Sequence, residues 1–284
     1  MHTTVFLEEV IQTLDVQPGK KYIDATFGEG GHTKAILDAG GHVLALDLDA
    51  EQVQNPPFTH ENLKLAHGNY ANIEAIAKEH GFTDAAGVVF DLGLSFEQIK
   101  DGARGFSYTR PDEELDMRID TSYDQTAAEL INHLDAADLT DLMMKYSEDL
   151  LAREIAQDIV FIRKTRRIET VGALIAVIDR VLERHLIQGR SDKQRTYSRI
   201  FQALRIMVNH EMDNIRSGLE QALNVIAADG TIVFITFHSL EDRIVKRFKT
   251  TNHNIVIKEV NVRKKRTLKQ FERSARLRFI QKIA

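Results

Sequence analysis

The chain has 284 residues, a net charge of −5 and no cysteine, with 43% hydrophobic and 28% charged residues. This length predicts one large domain with an insertion, or two domains, and the missing cysteine excludes disulfides, thiolate nucleophiles and iron–sulfur clusters. No apolar run is long enough to cross a bilayer and no secretory signal precedes residue 10, so we expect a cytoplasmic protein that does not contact a membrane.

Short β-rich runs alternate with helical patterns over the first hundred residues. Strands are predicted at 21–25, 42–46 and 86–90, each followed by a segment of helical length. This βαβ order predicts a mostly parallel sheet, whose ligand crevice lies beyond the carboxyl ends of its strands. Residues that directly follow a strand are therefore the first candidates for a site.

The β signal disappears between about 124 and 226, where apolar residues recur at three- and four-residue spacing. It returns as a buried strand at 230–237 and as an alternating edge or antiparallel strand at 275–280. A helical domain inserted into an α/β domain explains this order better than two tandem domains. The predicted domain boundaries are 1–110 and 213–284 for the α/β domain and 111–212 for the insert.

Charge is distributed unevenly along the chain. Residues 1–152 carry a net charge of −18, whereas 153–199 carry +5 and 243–284 carry +12. Basic segments on an acidic body indicate a surface that meets a polyanion, although a merely solvated basic face has the same composition.

A glycine-rich turn follows the first predicted strand. Gly28, Gly30 and Gly31 let the backbone approach a ligand closely and leave amide groups free to hold it. Position 33 is threonine, so the G-x-G-x-x-G fingerprint fails at its third glycine. This failure counts against a nucleotide-dependent dehydrogenase, the rival enzyme class.

Acidic residues follow the second and the third of the predicted strands. Asp47 stands where a carboxylate can accept both hydroxyls of a ribose, whereas Asp49 better fits the start of a helix as its cap. Asp91 lies at the crevice end of its strand, where a carboxylate needs a polar partner. Gln98 completes a capping-box pattern with Ser95 and can be purely structural.

Seven segments together resemble the bacterial 16S ribosomal RNA cytosine-N4 methyltransferase family, of the RsmH or MraW type. They run through nearly the whole chain in order: HTTV at 2–5, DATFGEGGHT at 24–33, DLGLSFEQ at 91–98, ARGFSY at 103–108, LDMR at 115–118, FQALRI with VN at 201–209 and FHSLEDR at 237–243. The resemblance implies a Rossmann-like class I S-adenosylmethionine methyltransferase sheet with an inserted all-helical domain for substrate recognition. It implies S-adenosylmethionine as cofactor and a cytosine of the decoding region of 16S ribosomal RNA as acceptor.

The resemblance also implies roles for individual residues. The cofactor-binding residues would be Gly28, Gly30, Gly31, His32, Asp47, Tyr70, Asp91 and Gln98. Tyr70 would lie near the adenine, with a core aromatic as the alternative. Asp91 would accept a hydrogen bond from the cytosine amine, and His238 would take the proton or contact the base.

Three arginines are candidates for contacts with RNA phosphates or bases: Arg104, Arg118 and Arg243. Internal ion pairs are the alternative for all three, and a helix cap is the preferred interpretation of Ser239 and Asp242. No metal site is expected, because the eleven histidines lack ligand spacing. The expected partner is 16S ribosomal RNA or the small ribosomal subunit, with a homodimer left open. The alternative function is a non-catalytic RNA-binding ribosome-assembly factor on a methyltransferase-like scaffold.

Overall fold

A computed structural model describes residues 4–93, 103–251, 254–262, 267–268 and 272–282, with all their side chains except those of 249–251. The chain forms two compact units. The sheet unit comprises Met1–Ser95 and Met212–Ala284, and the helical unit comprises Phe96–Glu211.

The helices and strands of the described residues are numbered in chain order. They are α1 (Leu7–Leu14), β1 (Lys21–Asp24), α2 (Gly31–Asp38), β2 (His42–Asp47), α3 (Ala50–Gln54), β3 (Leu63–His67), α4 (Ile73–His80), β4 (Ala85–Asp91), α5 (Ala127–His133), α6 (Ala136–Ser147), α7 (Ala152–Ile162), α8 (Val171–Arg184), α9 (Arg190–Val208), α10 (Glu211–Val225), β5 (Ile226–Thr236), α11 (Ser239–Thr251), β6 (Ile255–Val260) and β7 (Arg276–Lys282). A short 3₁₀ turn, Tyr70–Asn72, precedes α4.

The described strands form one sheet in the order β3-β2-β1-β4-β5-β7-β6. The first five strands of this order are parallel, and β7 is antiparallel to both of its neighbours. The prediction of an α/β fold with a mostly parallel sheet is therefore confirmed. The strand predicted at 275–280 as an edge or antiparallel strand is β7, which is antiparallel. It is not an edge strand, because β6 pairs with its outer side.

Register brings the carboxyl ends of the parallel strands to one edge of the sheet. Asp24 of β1 is level with Ala45 of β2 and Val89 of β4. Asp91 of β4 is level with Ile235 of β5. The polar residues that end these strands are thereby neighbours, and the crevice predicted from the βαβ order lies at this edge.

Burial explains why this sheet holds together. The residues of β2 after His42 are buried, as are those of β4 from Gly87 to Phe90. Both faces of such strands must be covered, which is the reason they read as continuous apolar runs. Phe90 stacks on Phe234 of β5 with ring centroids 4.3 Å apart, so aromatic packing fastens β4 to β5 at their carboxyl ends.

The helical unit contains α5 to α9, consistent with the loss of the β signal in this region. The apolar pattern that extends to residue 226 is divided between two helices near its end, because α9 ends at Val208 and α10 starts at Glu211. His210 between them has a left-handed φ of 52°. The Asn209 side chain accepts from Ile119 N and donates to Met117 O, so this break fixes the segment before α5.

The helical unit starts earlier than the predicted insert. Met117 N donates to Arg104 O (2.8 Å), and Gly105 N donates to the Glu113 carboxylate (3.0 Å). Residues 103–110 are therefore hydrogen-bonded to the segment that follows them. None of the helices in the described ranges has the length and apolarity needed to cross a membrane.

Candidate cofactor and acceptor site

The glycine-rich turn joins β1 to α2 in a conformation that needs its glycines. Gly28 and Gly30 have left-handed φ values of 51° and 73°. A Cβ on Gly30 would lie 2.7 Å from the rings of Phe27 and Phe58, and one on Gly31 would collide with Thr4 Oγ1. Other residues would therefore both strain the backbone and displace the packing of this turn.

Asp24, the last residue of β1, holds the turn through hydrogen bonds to two of its neighbours. Its buried carboxyl group accepts hydrogen bonds from Thr33 Oγ1 (2.7 Å) and Thr26 N (3.2 Å). Burial raises the pKa of Asp24 to about 6, against the opposing effect of the His32 charge. Thr26 Oγ1 accepts from Asp91 N (2.8 Å), which ties the turn to the end of β4.

Asp47 ends β2 beside the same turn. Its Oδ2 accepts from Gly28 N and its Oδ1 accepts from Asp49 N, both at 2.8 Å. Burial raises the pKa of Asp47, although both amides favour the carboxylate form. Each oxygen keeps one further acceptor site, so the group can still accept two hydroxyls. Asp49 caps α3 by accepting from Glu51 N (3.1 Å), which confirms its predicted structural role.

His32 and Asp91 meet at the centre of this edge. His32, on the first turn of α2, is buried, and its Nε2 lies 3.2 Å from Asp91 Oδ2. Burial lowers the pKa of His32, but the hydrogen bond and charge of Asp91, together with the charge of Asp24, outweigh burial and leave that pKa raised. The histidine therefore fixes one oxygen of Asp91 and leaves the other unengaged.

Four buried side-chain atoms among the described residues have no hydrogen-bond partner: His32 Nδ1, Asp91 Oδ1, Thr236 Oγ1 and His238 Nε2. Their residues follow or end β1, β4 and β5, three adjacent strands of the sheet edge. Buried polar atoms are nearly always paired in native proteins. Unpaired atoms concentrated in this way indicate a place for a polar ligand.

His238 precedes α11 and is held by Glu241. Glu241 N donates to His238 Nδ1 (3.4 Å), while the buried Glu241 carboxylate accepts from Phe237 N (2.7 Å) and His238 N (3.2 Å). His238 Nε2 lies 3.1 Å from Glu241 Oε1, but the two atoms are not aligned as a hydrogen bond. These contacts orient the imidazole ring of His238 and leave its Nε2 without a hydrogen-bond partner.

The predicted cap at the start of this helix is shifted by one residue. Because α11 begins at Ser239, His238 takes the N-cap position and Glu241 the third helical position. The prediction that Ser239 and Asp242 fill these places is wrong. Asp242 instead accepts from Arg278 Nε of β7 at 2.6 Å and pairs with Lys246 at 2.8 Å.

Tyr70 lies in the 3₁₀ turn after β3. Its ring packs edge-on against Phe90 with centroids 5.6 Å apart, and a Cβ on Gly218 would lie 2.8 Å from it. The side chain is only partly buried, so these contacts leave part of Tyr70 exposed, and its place near the adenine stays a prediction. Gln98 lies outside the described residues.

Two of the three candidate arginines, Arg104 and Arg118, lie in the helical unit and have partners within it. Arg118 forms a two-bond pair with Asp116 (2.7 and 2.8 Å), and the hydrogen bond and charge of Asp116 raise the pKa of Arg118. Arg118 also donates to two backbone carbonyls. Arg104 donates to the carbonyls of Arg118 and Ile119. Arg118 thus forms the internal ion pair that was its alternative, whereas Arg104 holds the same segment, before α5, through backbone carbonyls. Arg243 is exposed on the first turn of α11.

Three residues of the site are not among those predicted from the sequence: Thr26, Thr236 and Glu241. The first two directly follow or end a strand at the crevice edge, a position that could have selected them. Glu241 had no comparable signal, because its role depends on where α11 begins.

A parallel sheet with a glycine-rich turn after β1 and a carboxylate at the end of β2 defines the Rossmann-like class of ligand-binding proteins. The MraW methylase family matches residues 1–283, and the chain belongs to this family. The resemblance noted in the sequence is thereby confirmed.

Curated relatives carry the name ribosomal RNA small subunit methyltransferase H. The protein of Thermomicrobium roseum is 41% identical over 254 residues, which cover 87% of this chain and 76% of the relative. The proteins of Dechloromonas aromatica and Dictyoglomus thermophilum are 39% and 38% identical, over 87% of this chain and 80% and 84% of theirs.

Proposed function

We propose that this protein transfers a methyl group from S-adenosylmethionine to the exocyclic N4 of a cytosine in the decoding region of 16S ribosomal RNA. Membership of the MraW methylase family and the name shared by its relatives support the proposal. The observation that carries it is the group of unpaired polar atoms at the sheet edge, beside the glycine-rich turn. The proposal includes a cytoplasmic location without membrane contact, and a homodimer is the assembly to test by sedimentation.

The residues at this edge fit the cofactor. Asp47 has acceptor sites left for the two ribose hydroxyls, and it lies beside the glycine-rich turn, because Gly28 N donates to its Oδ2. His32 Nδ1 is a polar atom available to the amino-acid part of the cofactor. When bound, S-adenosylmethionine supplies an electrophilic methyl group on a sulfonium.

Asp91 is the residue best placed to position the amine. The lone pair of cytosine N4 is delocalised into the ring, and an acceptor placed against an N4 hydrogen localises it again. His32 holds Asp91 Oδ2, so Oδ1 is free to accept this hydrogen bond. Asp91 would thereby orient the amine toward the methyl group that bound S-adenosylmethionine would supply, and His238 Nε2 would be available to take up the N4 proton that is released.

His238 is the second group proposed to act on the base. Its Nε2 lacks a partner and its ring is oriented through Glu241, which suits it to contact the cytosine or to receive the departing proton. The target base must be unstacked from its neighbours to reach such a site. We assign RNA recognition to the helical unit and to the basic segment 243–284, with Arg243 as a candidate contact.

Methylation in vitro tests the function. Small subunits and naked 16S RNA are incubated with the protein and S-adenosylmethionine, and mass spectrometry of the nucleosides should detect N4-methylcytidine. Calorimetric titration should show binding of S-adenosylmethionine and none of NAD. RNA binding without product or cofactor binding would instead establish the non-catalytic assembly factor.

A further inference from the structure

The helical unit exposes an aromatic ring on the outside of α7. Phe161, in the last turn of this helix, is 60% exposed. The guanidinium carbon of Arg180 on α8 lies 5.5 Å from the centre of its ring. Asp158, one turn earlier on α7, pairs with Arg180 (3.4 Å) and so helps to hold the cation at the ring.

A basic segment directly follows this ring. Residues 163–167 contain four cations, of which Arg163 donates to Ile131 O and Arg167 to Glu169. Lys164 and Arg166 are exposed and have no partner among the described residues. The amides of residues 165 and 166 both donate to Ile162 O, so helical winding continues past α7. Lys164, three residues after Phe161, therefore lies on the same face as the ring.

We propose that Phe161, Arg180, Lys164 and Arg166 form a stacking platform for an unpaired nucleotide of single-stranded RNA. The base stacks on the ring, and adjacent phosphates pair with Lys164 and Arg166. An exposed ring beside unpaired cations is the combination that single-strand-binding proteins use, because every base has a face to stack and every phosphate a charge. The proposal rests on the proposed function, which supplies the RNA.

Alternative occupants use only part of this surface. A polyanion without bases would leave the ring exposed, and an apolar protein surface would leave two cations without counter-charges. Single-stranded RNA satisfies both the ring and the charges. A second copy of the chain is the alternative that the tests below must be able to detect.

A tryptophan in place of the ring gives a direct readout. The chain contains no tryptophan, so Phe161→Trp introduces a single tryptophan, whose fluorescence can be excited selectively over that of the six tyrosines. Titration with a single-stranded oligoribonucleotide of the decoding region should quench this fluorescence to saturation, whereas inorganic polyphosphate should not. Leu150→Trp is the matched control, because Leu150 is 98% exposed in the same unit and follows Glu148 and Asp149 rather than unpaired cations. Equal quenching at both positions, or none at Phe161→Trp, would overturn the proposal.

Affinity measurements separate the ring from the charges. Phe161→Leu keeps an apolar side chain but removes the aromatic face and should weaken RNA binding about tenfold, while Phe161→Tyr should bind as wild type. The double variant Lys164→Ala/Arg166→Ala should flatten the log–log salt dependence by about 1.4, for two phosphates of a single strand. Unchanged affinity of Phe161→Leu would refute the stacking, and conversion of a wild-type dimer to a monomer by this substitution would assign the surface to a second copy.

These measurements are made without cofactor, so they do not depend on methyl transfer. If the oligoribonucleotide binds at Phe161 but no N4-methylcytidine forms in the methylation assay, only the proposed function fails. If N4-methylcytidine forms with unchanged affinity and KM for RNA in Phe161→Leu, only the platform fails.

Discussion

Replacement of Asp47 by asparagine separates the structural from the ligand-binding part of its role. In the wild type, the two carboxylate oxygens accept one backbone amide each, from Gly28 and Asp49. An asparagine side chain has only one oxygen, so one of these amides would face an NH₂ group. A buried donor left without an acceptor costs about 1–3 kcal/mol. Because burial already disfavours the charged form of Asp47, we expect net destabilisation near the lower end, about 1 kcal/mol.

The loss of cofactor affinity should be larger than this. Hydrogen bonds to a charged acceptor contribute about 1.5–3 kcal/mol, so removing the charge should weaken S-adenosylmethionine binding by about 10- to 150-fold. Calorimetry measures the affinity, and urea unfolding measures the stability under the same conditions. Titrations are made where the variant is fully folded, so that a weaker affinity reports the site.

Asp49→Asn is the matched control for this prediction. Asp49 is also buried and lies two residues further along, but its side chain caps α3. Asparagine caps a helix about as well as aspartate, so both stability and cofactor affinity should stay at wild-type values. Wild-type S-adenosylmethionine affinity in folded Asp47→Asn would show that the carboxylate only shapes the turn, and would refute the reasoning.

Three further aspartates give predictions of different kinds. The raised pKa of Asp24, about 6, means that the folded protein binds this proton more tightly than the unfolded chain, so wild-type stability should fall by about 3 kcal/mol as the pH rises from about 4 to 6. Asp24→Asn should lack this fall in urea unfolding, and equal pH dependence of the two proteins would contradict the assignment. Asp91→Asn should lower kcat by about 10²–10³ with a smaller change in cofactor affinity, whereas equal losses would reduce Asp91 to a cofactor ligand. Asp242→Ala should destabilise the protein by about 3 kcal/mol, because Arg278, 5% exposed, loses its partner in α11. A change below 1 kcal/mol in urea unfolding would mean that Glu259 alone satisfies that arginine.

The sequence predicted the strands whose burial is nearly complete. β1, β2, β4 and β5 read as apolar runs because helices or loops must cover both of their faces. β3 and β6 were missed, since exposed polar residues interrupt both and neither has a clean alternation. Their places follow from pairing with neighbouring strands, which is a tertiary property.

The same division applies to the site. Parallel register alone places Asp24, Asp47 and Asp91 at one edge, so the positions of these carboxylates could be predicted from where each strand ends. The contact of His32 with Asp91 could not, because it depends on how the glycine-rich turn aims the first turn of α2. The ion pair of Arg118 with Asp116 could not be predicted either, because an arginine that contacts RNA and one that forms an internal ion pair look the same in the sequence.

The acidic and the basic segments of the chain are suited to different ligands. Carboxylates at the sheet edge repel a phosphate but attract a sulfonium, so the acidic segment is suited to a cationic cofactor. Contacts with RNA phosphates must then come from elsewhere in the chain. Most arginines of the helical unit named above are engaged by carboxylates or carbonyls, and an engaged cation gains less from a phosphate because it must first give up its partner. Lys164 and Arg166 have no protein partner to give up when they bind a phosphate. Two unpaired cations beside the exposed ring of Phe161 are therefore better evidence for an RNA contact than the net charge of the segment that contains them.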